Sequence, residues 1–265
     1  MSAPRVFDAK QYERYNSTRA AAAGDALAEL RGQLQLCTAI DVGCGFGYIS
    51  AFLHSLGFQV TAVDGRTENV LEARKRSPDV RFETANAEDT ALRAMGQFDL
   101  VLCFGLLYHL ENPFLAIRNL HALTSELLLI ESMVFPGTEP IMGLVDEPQA
   151  EDQSLNRIAF YPTEACLVKM LYHAGFRNVY LLKKLPDHPD FRARGTAGQS
   201  RTMLAASLVP LRSTLLERMQ EPRVAFEPRI PDLRENSTLM EKLRRFGAKP
   251  MPEKIGSLKR LLGGR

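Results

Sequence analysis

The 265-residue chain predicts an α/β protein: a mostly parallel sheet with helices packed on both faces. Three observations carry that expectation. The run from Cys37 to Val42 reads as a strand buried on both faces. Glycine then recurs at every second position, Gly43, Gly45 and Gly47, before a helical pattern begins. Strand-like and helix-like periodicities alternate from there to Ser207, as they do in repeated βα units.

The elements follow in order. From Tyr48 the apolar residues Ile49, Phe52, Leu53 and Leu56 recur at helical spacing, and Gly57 stops the helix. Gln59–Val63 is a short apolar strand with Asp64 at its end. Glu68–Arg76 reads as a charged amphipathic helix ended by Pro78, and Val80–Glu83 as a third strand. Gln97–Cys103 is the fourth strand, Phe114–Leu123 a helix and Glu126–Glu131 the fifth strand. Residues 132–156 mix Pro, Gly and acids without a period, which predicts an irregular insertion over the substrate pocket. Thr163 as N-cap, or Pro162 as first helical residue, opens a helix over Ala165–Ala174 that ends at Gly175. Phe176–Lys183 and Arg201–Ser207 are the closing strands, an antiparallel pair. Ahead of the first strand, Tyr12, Tyr15 and the alanine-rich stretch Ala20–Leu30 read as one or two helices.

Composition narrows the class. Apolar residues make up 45% and charged residues 24% of the chain, the balance of an ordinary globular protein. No apolar run reaches bilayer length, and Met-Ser-Ala-Pro-Arg at the start is not of signal-peptide type. The four cysteines, Cys37, Cys44, Cys103 and Cys166, are scattered, with no C-x-x-C or His/Cys cluster, so neither zinc nor any other metal is expected. A reducing cytoplasm is the simplest setting. Charge is uneven: from Pro210 onward 13 Lys and Arg face 7 Asp and Glu. This basic tail is either a solvated extension or a surface for an anionic partner such as RNA. The expected division is a helical lid over 1–36, a cofactor-binding domain over 37–209 and a basic extension over 210–265.

The chemistry lies at the glycine turn. Gly43, Gly45 and Gly47 let backbone pass close to a ligand. Asp64 stands about 20 residues beyond the first glycine, the spacing at which an acid reaches a ribose hydroxyl. The turn is G-x-G-x-G, not the G-x-G-x-x-G of pyrophosphate binding. With Asp41 ahead of it, this resembles motif I of the class I S-adenosylmethionine (SAM) methyltransferases. The resemblance implies a Rossmann-like sheet of order 3-2-1-4-5-7-6 and SAM as cofactor. Ala85-Asn86-Ala87 resembles that family's adenine-binding motif, with Asn86 in place of the usual Asp. The strand after Phe98-Asp99 resembles the one that ends beside the sulfonium, at Cys103 and Phe104. By resemblance the cofactor contacts are Tyr15, Asp41, Gly43, Cys44, Gly45, Asp64, Gly65, Asn86, Ala87, Cys103 and Phe104.

Tyr108 and His109 follow the fourth strand, where substrates bind in open α/β sheets. His109 suits a general base or a positioning role, and Tyr108 the orientation of an acceptor. Leu107-Tyr108-His109, Tyr161-Pro162-Thr163 and Gln199-Ser200-Arg201-Thr202 also resemble the catalytic domain of the tRNA wobble-uridine carboxymethyltransferases. Those enzymes use carboxy-SAM, and the resemblance implies that Arg201 and Tyr108 meet its added carboxylate. The reading is a SAM-dependent methyltransferase acting on a small-molecule acceptor. Alternatives are a carboxymethyltransferase acting on tRNA, a NAD-dependent oxidoreductase and a SAM-binding protein without catalysis.

Overall fold

The computed structural model describes residues 10–146, 155, 158–192 and 200–224. Most of the basic extension, from residue 225 on, lies outside the described residues. The helix expected near the start is continuous, α1 (Lys10–Leu30). Its buried residues Tyr15, Arg19, Ala22, Ala23, Ala26, Leu27 and Leu30 fall on one helical face, which lies on the sheet's core.

The strands are β1 (Thr38–Val42), β2 (Gln59–Asp64), β3 (Arg81–Thr84), β4 (Phe98–Phe104) and β5 (Thr124–Val134). Helices α2 (Tyr48–Ser55), α3 (Thr67–Arg76) and α4 (Pro113–Leu123) connect them. A separate antiparallel hairpin follows, β6 (Met142–Asp146) with β7 (Ile158–Pro162). Then come α5 (Glu164–Ala174), β8 (Asn178–Leu182), α6 (Pro189–Arg192), β9 (Ser200–Ser207) and β10 (Leu216–Met219). Thr163 caps α5 as expected, its Oγ1 accepting from the Cys166 N–H at 3.1 Å.

The main sheet has the order β3-β2-β1-β4-β5-β9-β8-β10. Its first seven positions match the expected 3-2-1-4-5-7-6, with β9 and β8 in the last two places. Two details differ from the sequence reading. Strand β10 pairs antiparallel with β8, so the sheet continues past residue 209. The insertion after β5 is not wholly irregular, because Gly143 and its neighbours pair with β7.

Alternation along the central strands sorts side chains into two cores. Leu100, Leu102 and Phe104 of β4 join Leu27, Leu30 and Leu53 on one face of the sheet. Val101 and Cys103 join Ile117, Leu120 and Leu171 on the other. Asp99 fastens the amino-terminal edge of the central strands. Its Oδ2 accepts from the Cys37 and Thr38 N–H groups at 2.9 and 2.8 Å, and its Oδ1 from the Ser125 hydroxyl at 3.3 Å. Strand β1 runs parallel to both β2 and β4, but the strand order reverses at β1, which opens a crevice at the carboxyl ends of those strands.

Gly47 caps α2 with φ of 81°, and a Cβ there would lie 2.7 Å from the Phe82 ring. Gly47→Ala is therefore expected to destabilise the fold by about 2–4 kcal/mol, combining left-handed strain with overpacking. An unchanged urea midpoint would contradict this packing.

Candidate active site

Two adjoining chambers occupy the crevice and share Tyr12, Gly43 and Phe104. The larger, about 630 Å³, lies between α1 and the glycine turn and is lined by Asn16, Arg19, Asp41, Cys44 and Phe46 among others. The smaller, about 70 Å³, runs past Gly45, Asp64, Gly65, Asn86, Ala87 and His109. Leu155 packs over Gly65 at its edge.

Asp64 organises the turn between them. Its Oδ2 accepts from the Gly45 N–H at 2.9 Å, and its Oδ1 accepts from the Arg66 N–H at 2.9 Å and the Asn69 amide at 3.0 Å. Burial pushes this carboxyl up, and the three hydrogen bonds oppose that. A carboxylate offers about four lone-pair sites, so acceptor capacity is left for a ligand hydroxyl.

Asp41 is fully enclosed at the end of β1. The Ser50 hydroxyl of α2 donates to its Oδ2 at 2.6 Å. Burial pushes its carboxyl up to about 6, against the lowering effects of Ser50 and Arg19. It remains mostly ionised at neutral pH.

Behind Arg19 lies a buried charge cluster centred on Glu131 of β5, which has no exposed surface. Its Oε2 accepts from Arg19 Nη1 at 2.8 Å and its Oε1 from Arg201 Nη1 at 2.8 Å. The Tyr15 hydroxyl donates to Oε1 at 3.2 Å, and Arg201 Nη2 donates to the Tyr108 hydroxyl at 3.0 Å. Arg19 also donates to Asn16. Burial alone would raise the Glu131 carboxyl, but Arg201 and Arg19 hold it below its ordinary value. Burial pushes the Tyr108 phenol up to about 12, so it stays protonated and serves as a hydrogen-bonding group, not a base. Gly105 makes room for the cluster: a Cβ there would lie 2.9 Å from Arg19 Nη1.

Of the residues expected at the cofactor, Asp41, Gly43, Cys44, Gly45, Asp64, Gly65, Asn86, Ala87 and Phe104 all line the chambers. The Asn86 carbonyl also accepts from the Glu88 N–H at 3.0 Å. Tyr15 and Cys103 line neither chamber. Tyr15 is spent on Glu131, and Cys103 points into the core with no exposed surface. His109 lines the smaller chamber beside Tyr108, their ring centroids 4.2 Å apart. Tyr108 and Arg201 lie together in the cluster, covered by Ala159 and Tyr161 of the hairpin. Sequence reading missed Arg19. A lone arginine in an alanine-rich helix gives no signal, although its position four residues after Tyr15 puts it on the same face. Among the described residues no group of three His, Cys, Asp or Glu side chains is arranged to hold a metal. No described helix is long and apolar enough to cross a membrane.

In fold, the chain is similar to several solved structures. It resembles the N-terminal domain of EvdMO1 with SAH bound, at TM-score 0.59 and 20% identity over 71% of this chain and 80% of that one. It also resembles a SAM-dependent methyltransferase from Mesorhizobium loti, at TM-score 0.51 and 19% identity over 72% and 99% of the two chains. Residues 40–126 match the family described as the methyltransferase domain, Methyltransf_11. The chain is 40% identical over 83 residues to the ubiquinone biosynthesis O-methyltransferase of Xanthomonas campestris pv. campestris. That alignment spans 30% of this chain and 35% of the relative. The relative from Xanthomonas oryzae pv. oryzae matches over the same shares, 30% and 35%.

The raised Asp41 carboxyl predicts opposite pH trends for stability and for binding of a cation beside it. A raised carboxyl favours the folded protonated form, so its contribution to stability is full below the ordinary 3.8 and is lost as pH rises through about 6. Binding of a cationic ammonium needs the ionised form. Affinity for S-adenosylhomocysteine, measured by calorimetry, is expected to rise as pH is raised through about 6, and Asp41→Asn is expected to remove that step.

Proposed function

We propose that the protein is a SAM-dependent methyltransferase that moves a methyl group to a small-molecule acceptor by direct displacement. The observation that carries this reading is the meeting of Asp64, the glycine turn, Asp41 and Arg19 in the walls of two joined chambers. The cofactor, when bound, supplies a methyl carbon made electrophilic by the sulfonium. Asp64, with Asn86 and Ala87, provides the polar edge that suits a ribose and an adenine. Asp41 suits the ammonium of the methionine part. Arg19, whose buried Nε has no hydrogen-bond partner among the described residues, suits its carboxylate. Gly43 and Phe104, shared by both chambers, bring backbone and ring to the junction.

Much of the rate then comes from holding the acceptor in line with the methyl carbon. His109 borders the smaller chamber and takes a proton from an acceptor hydroxyl that must lose one. The O-methyltransferase activity of the Xanthomonas relatives supports oxygen as the acceptor atom. All four cysteines are thiols, which supports a cytoplasmic setting. A role for RNA rests on the basic extension, most of which lies outside the described residues.

The test is calorimetry with S-adenosylhomocysteine, followed by transfer from labelled SAM to a panel of phenols and sugar hydroxyls. Asp64→Ala and Arg19→Met are each expected to weaken binding by at least roughly tenfold, the loss expected for a charge-assisted hydrogen bond. Stabilisation by NAD and not by S-adenosylhomocysteine would overturn the assignment. For a base, His109→Ala is expected to lower kcat by about 10²–10⁴ with little change in cofactor affinity.

The contact between Arg201 and Tyr108 favours a second reading, in which the donor is carboxy-SAM. Native mass spectrometry of the purified protein separates the two. A co-purified ligand heavier than SAM by one carboxylate supports carboxymethyl transfer, and SAM or S-adenosylhomocysteine alone supports methyl transfer.

A further inference from the structure

We propose that Glu131 is a positioning residue that couples the cofactor end of the site to the acceptor end, holding Arg19 with one carboxylate oxygen and Arg201 with the other. The inference rests on the placement of the cofactor carboxylate at Arg19 described above. Glu131 sits on a central strand, opposite Phe104 in the β4–β5 register, and its carbonyl accepts from the Gly105 N–H at 3.0 Å. Its backbone and side chain therefore fix the loop after β4 and both guanidinium groups.

The geometry is one of sharing, each guanidinium donating to its own Glu131 oxygen at 2.8 Å. Two guanidinium groups, with side-chain exposures of 4% and 13%, divide the one fully buried carboxylate, and the only other acid on Arg201 among the described residues is the half-exposed Asp190, its Oδ2 3.6 Å from Arg201 Nε. Glu131 can compensate one of these charges but not both. Arg19 lines the large chamber, whereas Arg201 lines neither chamber and reaches the acceptor side through Tyr108. While Arg201 competes for Glu131, Arg19 keeps positive potential for a ligand carboxylate and is still held in place. Without Arg201, Glu131 neutralises Arg19 alone, and the cofactor carboxylate meets a pair already compensated. A change at the acceptor end thus alters cofactor affinity without touching the cofactor.

The measurement is S-adenosylhomocysteine affinity by calorimetry on the full chain, with circular dichroism confirming the fold of each variant. Arg201→Met is expected to weaken binding by roughly five- to tenfold, the range of an ordinary coupling between sites. In a Glu131→Gln background the same substitution is expected to change affinity by less than about twofold, because the shared charge is gone. An unchanged affinity in Arg201→Met overturns the coupling, and so does equal weakening in both backgrounds. Should Glu131→Gln fail to fold, Arg201→Lys decides. It keeps the charge and is expected to stay within about twofold of wild type, whereas a loss as large as that of Arg201→Met overturns the electrostatic route. Arg19→Met separates this proposal from the reading beneath it. If that variant binds like wild type, the cofactor placement fails, and the coupling fails with it. If it binds weakly while Arg201→Met does not, the coupling alone fails.

Discussion

The carboxylate of Asp64 holding the Gly45 N–H at 2.9 Å is the interaction on which the site depends. A turn of alternating glycines has more freedom to lose on folding than any other short segment. The end of β2 supplies the restraint, because Gly43 and Cys44 both donate to the Val63 carbonyl and Gly45 donates to the next side chain along. One acid therefore shapes the turn and presents its remaining lone pairs to the same chamber.

The second organising element is electrical. Asp41, Arg19, Glu131 and Arg201 run from the first strand through the covering helix to the fifth and ninth strands, and all are largely withdrawn from water. Isolated buried charges are strongly disfavoured, and such groups persist only in mutual contact. Helix α1 is thus attached to the sheet by polar contacts near its beginning, through Tyr15 and Arg19, and by apolar packing further along, through Ala26, Leu27 and Leu30. Apolar packing tolerates small displacements. The ionic end sets the helix in one position over the crevice.

Much of this was legible in the sequence where local pattern and tertiary role coincide. The strand, glycine turn, helix and second acid of residues 37–64 announce themselves because a strand buried on both faces must be apolar and a close turn must be small. The order of the first seven strand positions follows instead from the family resemblance. Strand β10 was not legible, since Leu-Glu-Arg-Met at a sheet edge carries too few apolar residues to mark a strand. Nor was β6, where Gly143 and a single alternation resemble a loop. Arg19 was hidden for a different reason. Its role comes from a carboxylate 112 residues away, and no local pattern reports such a partner. Tyr15 and Cys103 show the converse. Family resemblance put them at the cofactor, but in the structure one is engaged by Glu131 and the other is core.

Asp99 fastens β1, β4 and the start of β5 from beneath, at the end of the sheet opposite the crevice. Alignment of the central strands therefore does not rely on the loops above them. The loop carrying Tyr108 and His109, and the hairpin that covers it, can be exchanged or lengthened while the foundation keeps its register. A scaffold anchored at its base in this way is suited to the evolution of new acceptor preferences by substitution at the rim alone.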